Sequence, residues 1–444
     1  MRQRLQTCRI AFSLGCCFTA LPSAMAGSGI PSAGYRLEWI SPPAGWESSI
    51  VLPYGISSGG VVVGQLEPAP QSGAGRGFVF DLANGMRLLG SLDCLPFGNS
   101  FGRAINSDGV IAALAASRCT GWGQAVLTTT ANPLQLSYLP NFSNDTGDGE
   151  PFAISDHGLL VGLCGRAIGC GPGLCYANPG TPVRWQNGQL QALPTMPGTY
   201  AGAAMSVNNH GDIVGFFVVP HPSPERFDDT RAFLLAAGAS SPTSLPTLGG
   251  LRARAYRVLD DLSCIGFADR LDGQSRAVRW NADHSIQELA PTLNAGFSFA
   301  SDALPNGSLA VGGFSNTEPT WGPGSIRAFT SFAAIYEDGH AVRVSDVVPV
   351  TAGAYFNTAV AINSSGWIVG NGGVWINGVN YSRAFLLIPN CSSDFNADGF
   401  LDFTDFDAFV SAFSAGLNRA DFNADGFLDF TDFDAFVAAF ENGC

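Results

Sequence analysis

The sequence predicts a mainly β fold of repeated sheet units, followed by a small α-helical domain. Two observations carry this prediction: a phrase that recurs about every 50 residues through the body of the chain, and a 20-residue stretch near the C terminus that occurs twice. The composition agrees with it. Of 444 residues, 55 are Gly and 27 are Pro while 13% are charged, which is typical of many short strands joined by turns.

The N terminus predicts an export signal over residues 1–26. Three arginines form a basic region, residues 10–21 form an apolar run, and Ala26 ends a small-x-small cleavage site. The apolar run is too short to span a bilayer. We therefore expect a secreted or cell-surface protein, cleaved near Ala26 from a Sec-type signal, with no transmembrane segment. A lipoprotein signal at Cys16 is the less favoured alternative, because Ser13 stands where such signals usually carry Leu.

The charge balance excludes several classes of function. All 22 basic residues are Arg, so no mechanism based on a lysine nucleophile or Schiff base applies, and the 36 acidic residues give a net charge of −14. A strongly acidic chain disfavours nucleic acid and anionic lipid as partners and suits divalent cations.

One phrase recurs seven times in the body of the chain. Its clearest copy, at 361–370, reads Ala-Ile-Asn-Ser-Ser-Gly-Trp-Ile-Val-Gly, and its last position falls at 64, 113, 162, 215, 266, 312 and 370, with Ala in place of Gly at 113. Asn or Ser followed three residues later by Gly predicts a turn, in which the polar side chain caps the backbone and Gly takes a positive φ. The apolar run that follows predicts a buried strand, and a later Arg-Ala-Phe phrase predicts the next strand of a hairpin.

These repeats predict a seven-bladed β-propeller over residues 27–388. A period near 50 residues with about four strand-sized runs per unit matches one propeller blade. Residues 35–40, which precede the first phrase, are expected to supply the strand that closes the ring. A β-solenoid is the less favoured alternative because its units are shorter and more uniform, and the choice between seven and six blades stays open.

The duplicated stretch occupies 394–413 and 421–440, and its two copies differ only at Ser411 and Ala438. Each copy begins with oxygen-bearing side chains at loop positions 1, 3, 5, 9 and 12, Gly at position 6 and a backbone carbonyl at position 7, which is the EF-hand arrangement for Ca²⁺. We expect two structural Ca²⁺ ions, and the many Phe residues disfavour the alternative of a disordered acidic tail. The predicted ligands are Asp394, Asn396, Asp398, Phe400 (through its carbonyl), Asp402, Asp405, Asp421, Asn423, Asp425, Phe427 (through its carbonyl), Asp429 and Asp432.

Each loop is followed by an apolar stripe at helical spacing, with side chains at i, i+3, i+4 and i+7. The two stripes predict helices that pack on each other within a domain over 391–444. Their members are Phe406, Phe409, Val410 and Phe413 in the first copy and Phe433, Phe436, Val437 and Phe440 in the second.

Eight cysteines remain after the predicted signal, and an even number in an exported chain favours disulfides. Cys391 and Cys444 bracket the calcium loops, and we predict that they are bonded to each other. A zinc site built from the three closely spaced cysteines is disfavoured by their spacing. The pairing within the body stays open among Cys94, Cys119, Cys164, Cys170, Cys175 and Cys264.

The body resembles the HAF-type extracellular repeats, whose hallmark is Ala-Ile-Asn-x-x-Gly-x-Val-Val-Gly followed by His-Ala-Phe-Leu. The resemblance covers residues 50–388, and Arg231, Arg327 and Arg383 stand at the His position. It implies a propeller and brings no catalytic residues.

The C-terminal stretch resembles a type I dockerin, which has two calcium-loop–helix repeats with Asp at position 12. The resemblance covers 391–444, and the Gly-Cys ending is similar to that of dockerin-like tails on secreted bacterial proteins. It implies docking on a cohesin-like or other surface-anchoring protein. The partner-facing positions 10 and 11 of each loop correspond to Phe403, Thr404, Phe430 and Thr431.

No catalytic constellation is evident in the body. The five His are scattered, neither Gly-x-Ser-x-Gly nor His-Glu-x-x-His occurs, and Glu150, Glu225, Glu318 and Glu337 are predicted in solvated loops. The sequence therefore favours an exported non-catalytic propeller that binds a glycan or protein, or serves as surface architecture, and is anchored through its calcium-dependent tail. The alternative is a polysaccharide-degrading enzyme that carries a dockerin for scaffold assembly, which would require acids from different blades to converge.

Overall fold

The computed structural model describes residues 34–68, 75–91, 99–116, 123–141, 148–166, 168–171, 174–177, 180–220, 229–316, 332–349, 352–391, 393–396, 401–423 and 426–442. The predicted signal over 1–26 lies outside these residues, as do Cys94, Cys119, Arg327 and Cys444.

The body is mainly β, and its first four sheets are antiparallel meanders whose strands follow one another in chain order. The first sheet contains β2 (Ile50–Ile56), β3 (Val62–Glu67), β4 (Arg76–Asp81) and β5 (Gly85–Leu88), and the second contains β6 (Asn99–Ile105), β7 (Val110–Ala116), β8 (Gly123–Thr129) and β9 (Ser137–Tyr138). The third sheet contains β10 (Asp148–Ile154), β11 (Leu160–Arg166), β14 (Thr181–Gln186) and β15 (Gln189–Ala192), with the separate hairpin β12 (Ile168–Gly171) and β13 (Leu174–Ala177) between them. The fourth contains β16 (Ala201–Val207), β17 (Ile213–Val219), β18 (Asp229–Leu235) and β19 (Thr243–Ser244).

A fifth sheet has eight strands. It contains β20 (Gly249–Val258), β21 (Cys264–Arg270), β22 (Ser275–Trp280), β23 (Ile286–Glu288), β24 (Phe297–Ala303), β25 (Ala310–Ser315), β26 (Phe332–Glu337) and β27 (His340–Arg343), followed by the short helix α1 (Val344–Val347). One parallel pair, Ser275 with Phe297, joins β22 to β24, whereas the other described strand pairs of this sheet are antiparallel.

The last sheet joins the two ends of the body. It contains β28 (Ala354–Ile362), β29 (Ile368–Ile376), β30 (Val379–Pro389) and the N-terminal strand β1 (Tyr35–Ile40), in the order β1-β30-β29-β28. The strand expected to close the ring is therefore observed, and it pairs antiparallel with β30 from Tyr35 opposite Pro389 to Ile40 opposite Ala384. Each sheet contacts the next in chain order and the last contacts the first, so the body is a closed, propeller-like ring.

The apolar core lies between neighbouring sheets. At the seam between the first and last sheets, Val51, Val62 and Phe78 pack with Val369 and Leu386 in one buried cluster. Similar clusters lie at the other seams. Because the strands that follow the turn phrase, such as β17, β21 and β25, bury both faces, their apolar runs are continuous rather than alternating.

The repeated phrase forms the turn that the sequence predicts. In six copies Gly has a φ between 68° and 89°, and its N–H donates to the carbonyl three residues earlier at 2.8–3.1 Å. In the copy that begins at Leu259, Leu262 takes this position with a φ of 66°, although it has a side chain. The left-handed conformation costs a residue with a Cβ about 1–2 kcal/mol, so this turn is held by its surroundings.

The Gly that ends the phrase is required by a bulge in the neighbouring strand. A bulge of one residue occurs at the same place in β2, β6, β10, β16, β20, β24 and β28. It brings a carbonyl of that strand so close that a Cβ on the opposite Gly would lie 1.9–2.3 Å from the oxygen at Gly64, Gly162, Gly215, Gly266, Gly312 and Gly370. At these six positions a side chain fits only if the backbone moves, whereas in the second sheet Ala113 occupies the position opposite the bulge of β6.

Side chains of the turn phrase also connect neighbouring sheets. Asn363 Oδ1 accepts from the N–H of Trp367 at 2.9 Å, and Asn363 Nδ2 donates to the carbonyl of Ser57 in the first sheet at 3.1 Å. Asn106 and Asn208 make the same two kinds of bond. Where Ser replaces Asn, as at 57 and 155, the hydroxyl caps its own turn at 3.1 Å.

The C-terminal part contains α2 (Phe403–Ser414), a 3-10 turn (Asn418–Ala420) and α3 (Phe430–Asn442). The two predicted stripes pack on each other, and Phe409 and Phe436, both fully buried, stack with ring centroids 4.0 Å apart. Equivalent residues of the two copies therefore meet at the centre of this domain. Within the described residues, no helix has the length and apolarity needed to cross a membrane.

We expect Gly266→Ala to destabilise the body by about 1–3 kcal/mol, because the added Cβ would lie 1.9 Å from the carbonyl oxygen of Arg254. The matched control is Ala113→Gly, which places Gly at the same position of the second sheet and should cost about 1 kcal/mol or less. Chemical denaturation compares the two. A Gly266→Ala variant as stable as the unmodified protein would contradict the role assigned to the bulge.

Asn363 permits a graded test of the bond that closes the ring. Asn363→Ser should retain a cap of the kind seen at Ser57 and lose only the bond to the first sheet, at a cost of about 1 kcal/mol. Asn363→Ala should cost more, because it also leaves the buried N–H of Trp367 without its acceptor. Equal denaturation midpoints for the Ser and Ala variants would show that the cap contributes nothing.

Candidate functional site

The first predicted calcium loop is closed by the carboxylate of Asp405, at position 12. Its Oδ1 accepts from the N–H of Asn396 at 3.0 Å, and its Oδ2 accepts from the N–H of Asp402 at 2.9 Å. Asp402 caps α2 in return by accepting from the N–H of Thr404 at 2.7 Å. This reciprocal capping box ties the start of the loop to the start of the helix.

The second loop repeats this closure. Asp432 accepts from the N–H of Asn423 at 3.1 Å and from that of Asp429 at 2.9 Å. The backbone N–H of Asp429, and with it that of Asn423, lowers the pKa of the Asp432 carboxyl against the opposing effect of burial. Asp405 and Asp432 are both fully buried, so the loops hold carboxylates whose oxygens are already oriented by the backbone.

Position 6 of the second loop shows why Gly is needed there. Gly426 has a φ of 87°, and its N–H donates to Asp421 Oδ2 at 3.0 Å. The loop therefore turns sharply and holds the position-1 carboxylate in place.

The predicted ligands are described in part. Asp394, Asn396, Asp402, Asp405, Asp421, Asn423, Phe427, Asp429 and Asp432 are among the described residues, whereas Asp398, Phe400 and Asp425 lie outside them. The position-5 ligand of each loop is thus not described. Among the described residues, no group of three or more His, Cys, Asp or Glu side chains is placed to hold a metal ion.

The donor set suits a hard cation. The predicted ligands are carboxylate, amide and carbonyl oxygens, with neither sulfur nor imidazole among them, and Ca²⁺ prefers oxygen donors of this kind. The pKa of the Asp402 carboxyl is lowered by its hydrogen bonds from the Thr404 hydroxyl and N–H. These residues fit calcium, which would supply the charge that the acidic loops need to stay together.

The predicted partner-facing positions divide into two kinds. Phe403 and Phe430 are 79% and 76% exposed, as a docking surface requires. The hydroxyls of Thr404 and Thr431 are instead hydrogen-bonded inside their own loops, to Asp402 and Asp429. Phe427, whose predicted role uses only its carbonyl, also has a side chain that is 73% exposed.

The cysteines give mixed outcomes. Cys391 is disulfide-bonded, but Cys444 lies outside the described residues, so their pairing stays a prediction. The expectation of disulfides is wrong for Cys264, which is a buried free thiol, and Cys164 is likewise a buried thiol. Burial, with a smaller effect of Asp261, raises the pKa of Cys264 to about 12. The backbone register of β12 and β13 places Cys170 opposite Cys175.

The prediction that Glu150 lies in a solvated loop is wrong. Glu150 lies in β10, is 2% exposed and forms an ion pair with Arg103 of β6. The Arg103 guanidinium also lies 4.5 Å from the ring centroid of Tyr54. Burial lowers the pKa of the Arg103 guanidinium, but the negative charge of Glu150 opposes this effect, and the net result is a raised pKa. Glu337 ends strand β26, and Glu225 and Glu318 lie outside the described residues.

A second ion pair joins two strands that each end just before a copy of the turn phrase. Arg257 of β20 lies 3.3 Å from Asp302 of β24, and Asp302 also accepts from the N–H of Ile362 in β28. Sequence reasoning missed both pairs because their members are far apart in the chain. The one sequence feature that the four residues share is their position just upstream of a copy of the turn phrase.

Of the Arg residues at the His position of the HAF-type phrase, Arg231 and Arg383 are described and Arg327 lies outside the described residues. Arg383 donates to the carbonyl of Glu47 at 3.0 Å and so fastens the segment between β1 and β2. Arg231 is exposed on β18.

Comparisons with known proteins identify no family for this chain. No protein-family model matches it, and no curated protein is similar to it. Among solved structures it is similar to a puromycin hydrolase S511A mutant complexed with PGG (12% identity, 76% of this chain and 53% of that chain, TM-score 0.49). It is also similar to YCF48 bound to D1 peptide (12% identity, 82% and 98%, TM-score 0.44) and to TolB from Acinetobacter baumannii (13% identity, 74% and 79%, TM-score 0.37). At these sequence identities and TM-scores, the structural similarities carry no information about activity.

We expect Glu150→Gln to destabilise the body by about 3–5 kcal/mol, because it leaves the Arg103 charge in a largely buried site without its counter-charge. The matched variant Arg103→Met with Glu150→Leu removes both charges and should recover most of the loss. Thermal denaturation measures both. Unchanged stability of Glu150→Gln together with loss of a polysaccharide-cleaving activity would instead assign Glu150 a catalytic role.

Proposed function

We propose that this protein is an exported, non-catalytic seven-bladed β-propeller, anchored or assembled through a calcium-dependent dockerin-like domain. The observation that carries the proposal is the duplicated loop, in which Asp405 and Asp432 close the two copies by the same pair of backbone hydrogen bonds. Two loops with oxygen donors at the same positions and the same closure are best explained as two structural Ca²⁺ sites.

The count of seven blades is supported by the repeated bulge. The same bulge occurs at the same place in seven strands, each of which begins a group of four. The eight-stranded sheet divides into two such groups at the single pair between Ser275 and Phe297. With β1 added to the last sheet, every group then has four strands. This division also accounts for the seven copies of the turn phrase.

A non-catalytic role is supported by the ion pairs of two acids that lie in the first strands of their blades. Glu150 and Asp302 are each engaged by an arginine from a neighbouring group of strands. A glycosidase needs two carboxyl groups placed on either side of a bond, one of them able to donate a proton. Acids held in ion pairs are poorly suited to that role, so we favour binding of a glycan or protein by the propeller, or a role in surface architecture.

Docking through the tail is supported by the exposed rings of Phe403 and Phe430. They occupy equivalent positions of the two copies, so the domain offers the same residues twice. A cohesin-like or other surface-anchoring protein is the partner that this arrangement suits, since large exposed aromatic side chains commonly mark protein interfaces.

Calcium dependence is testable in the full-length protein by hydrogen exchange and mass spectrometry. Residues 391–444 contain 11 acids and one Arg, so removal of the cation should leave repulsion between carboxylates that loosens the loops. In EDTA we expect α2 and α3 to exchange much faster while the strands of the body stay protected. Calcium should restore protection and magnesium should not. Equal exchange of both helices with and without EDTA would refute the calcium assignment.

The enzyme alternative has its own test. The secreted protein is incubated with a panel of polysaccharides, and released reducing sugar is measured. We expect none above a heat-inactivated control. Release that depends on the folded protein would replace the non-catalytic proposal with a polysaccharide-degrading enzyme carried on a dockerin.

A further inference from the structure

The two threonines at loop position 11 occupy the same hydrogen-bond chain in both copies. Asn396 Nδ2 donates to Thr404 Oγ1 at 2.7 Å, and Thr404 Oγ1 donates to Asp402 Oδ1 at 2.7 Å. In the second copy the corresponding distances, through Thr431, are 2.9 and 2.6 Å. Each chain joins loop positions 3 and 9, which are both predicted ligands.

The direction of this chain is fixed by chemistry. An ionised carboxylate can only accept hydrogen bonds, so the single hydroxyl hydrogen of Thr404 must go to Asp402. The hydroxyl oxygen can then only accept, and the end of the Asn396 amide that faces it must be the NH₂ group. The amide oxygen of Asn396 is consequently turned away from Thr404.

The hydrogen bonds that Thr404 donates both end on one oxygen of the position-9 carboxylate. Asp402 Oδ1 accepts both from the hydroxyl and from the N–H of Thr404, at 2.7 Å each. The helix cap therefore does not require Oδ2. The second copy repeats this on Oδ1 of Asp429.

We propose that Thr404 and Thr431 are positioning residues for calcium, which orient the Asn amide so that it presents oxygen rather than NH₂ to the cation. The inference rests on the proposed calcium binding and assigns the two hydroxyls to the metal loop instead of to a docking partner. An Asn ligand differs from an Asp ligand because one of its two ends is a hydrogen-bond donor. A loop with Asn at position 3 therefore needs a group that selects the correct end.

The test is calorimetric titration of Ca²⁺ into the full-length protein. Thr404→Val keeps the β-branched shape and removes the hydroxyl, and it should weaken binding at the first loop by about 10-fold or more, as loss of a ligand-orienting partner does. Thr404→Ser should bind like the unmodified protein. Ser411→Ala, which makes the 20-residue stretch of the first copy identical to that of the second, is the matched control and should change nothing.

A double-mutant cycle separates orientation from general damage to the loop. Asn396→Asp makes both ends of the position-3 side chain oxygen, so Thr404→Val should cost much less in that background than with Asn396. An equal cost in both backgrounds would overturn the positioning role. The circular dichroism spectra of the unmodified protein and of the Thr404→Val variant in EDTA should be the same.

Failure of this inference is distinguishable from failure of the proposed function. If the unmodified protein takes up Ca²⁺ and Thr404→Val binds it equally well, the calcium domain stands and the role of the threonines is refuted. If the unmodified protein takes up no Ca²⁺, the proposed function itself is wrong and the inference falls with it.

Discussion

At three seams the closed ring is fastened by a side chain that satisfies backbone groups of two sheets at once. Asn363 accepts from its own turn and donates to a carbonyl of the first sheet, and Asn106 and Asn208 do the same at other seams. Apolar contact between sheets is non-directional and tolerates sliding. A hydrogen bond from a capped side chain to a fixed carbonyl has one preferred geometry. Where the repeated phrase carries Asn at this position, one side chain thus fixes both its own turn and a contact with the next sheet.

The C-terminal domain uses the same principle with a charged group. Asp405 accepts from two backbone N–H groups at opposite ends of its loop, and Asp432 does so in the second copy. In the second copy the N–H groups of Asp429 and Asn423 lower the pKa of the Asp432 carboxyl, which favours the charged form that a cation binds. In both parts of the chain, then, a short repeated phrase encodes one side chain with two backbone partners.

Features set by residues close together in the chain could be predicted, and features set across the ring could not. Asn363 and Gly366 belong to one turn, and the duplicated stripes around Phe409 and Phe436 meet in the structure as their spacing indicates. The bulge that makes Gly266 necessary lies in the neighbouring strand and leaves no mark at Gly266 itself. The pair of Arg103 with Glu150 joins different sheets, so neither residue reveals its partner in sequence.

A free thiol is compatible with the proposed export because of where the thiol lies. Cys264 is packed with Val214, Ala232 and Trp280 in the apolar cluster between the fourth and fifth sheets, and burial raises its pKa to about 12. Oxidation and disulfide exchange proceed through the thiolate, which is nearly absent at neutral pH in that environment. Oxidants reach the sulfur only when this seam opens. A buried thiol therefore does not conflict with the proposed export, and its reactivity would report how often the two sheets separate.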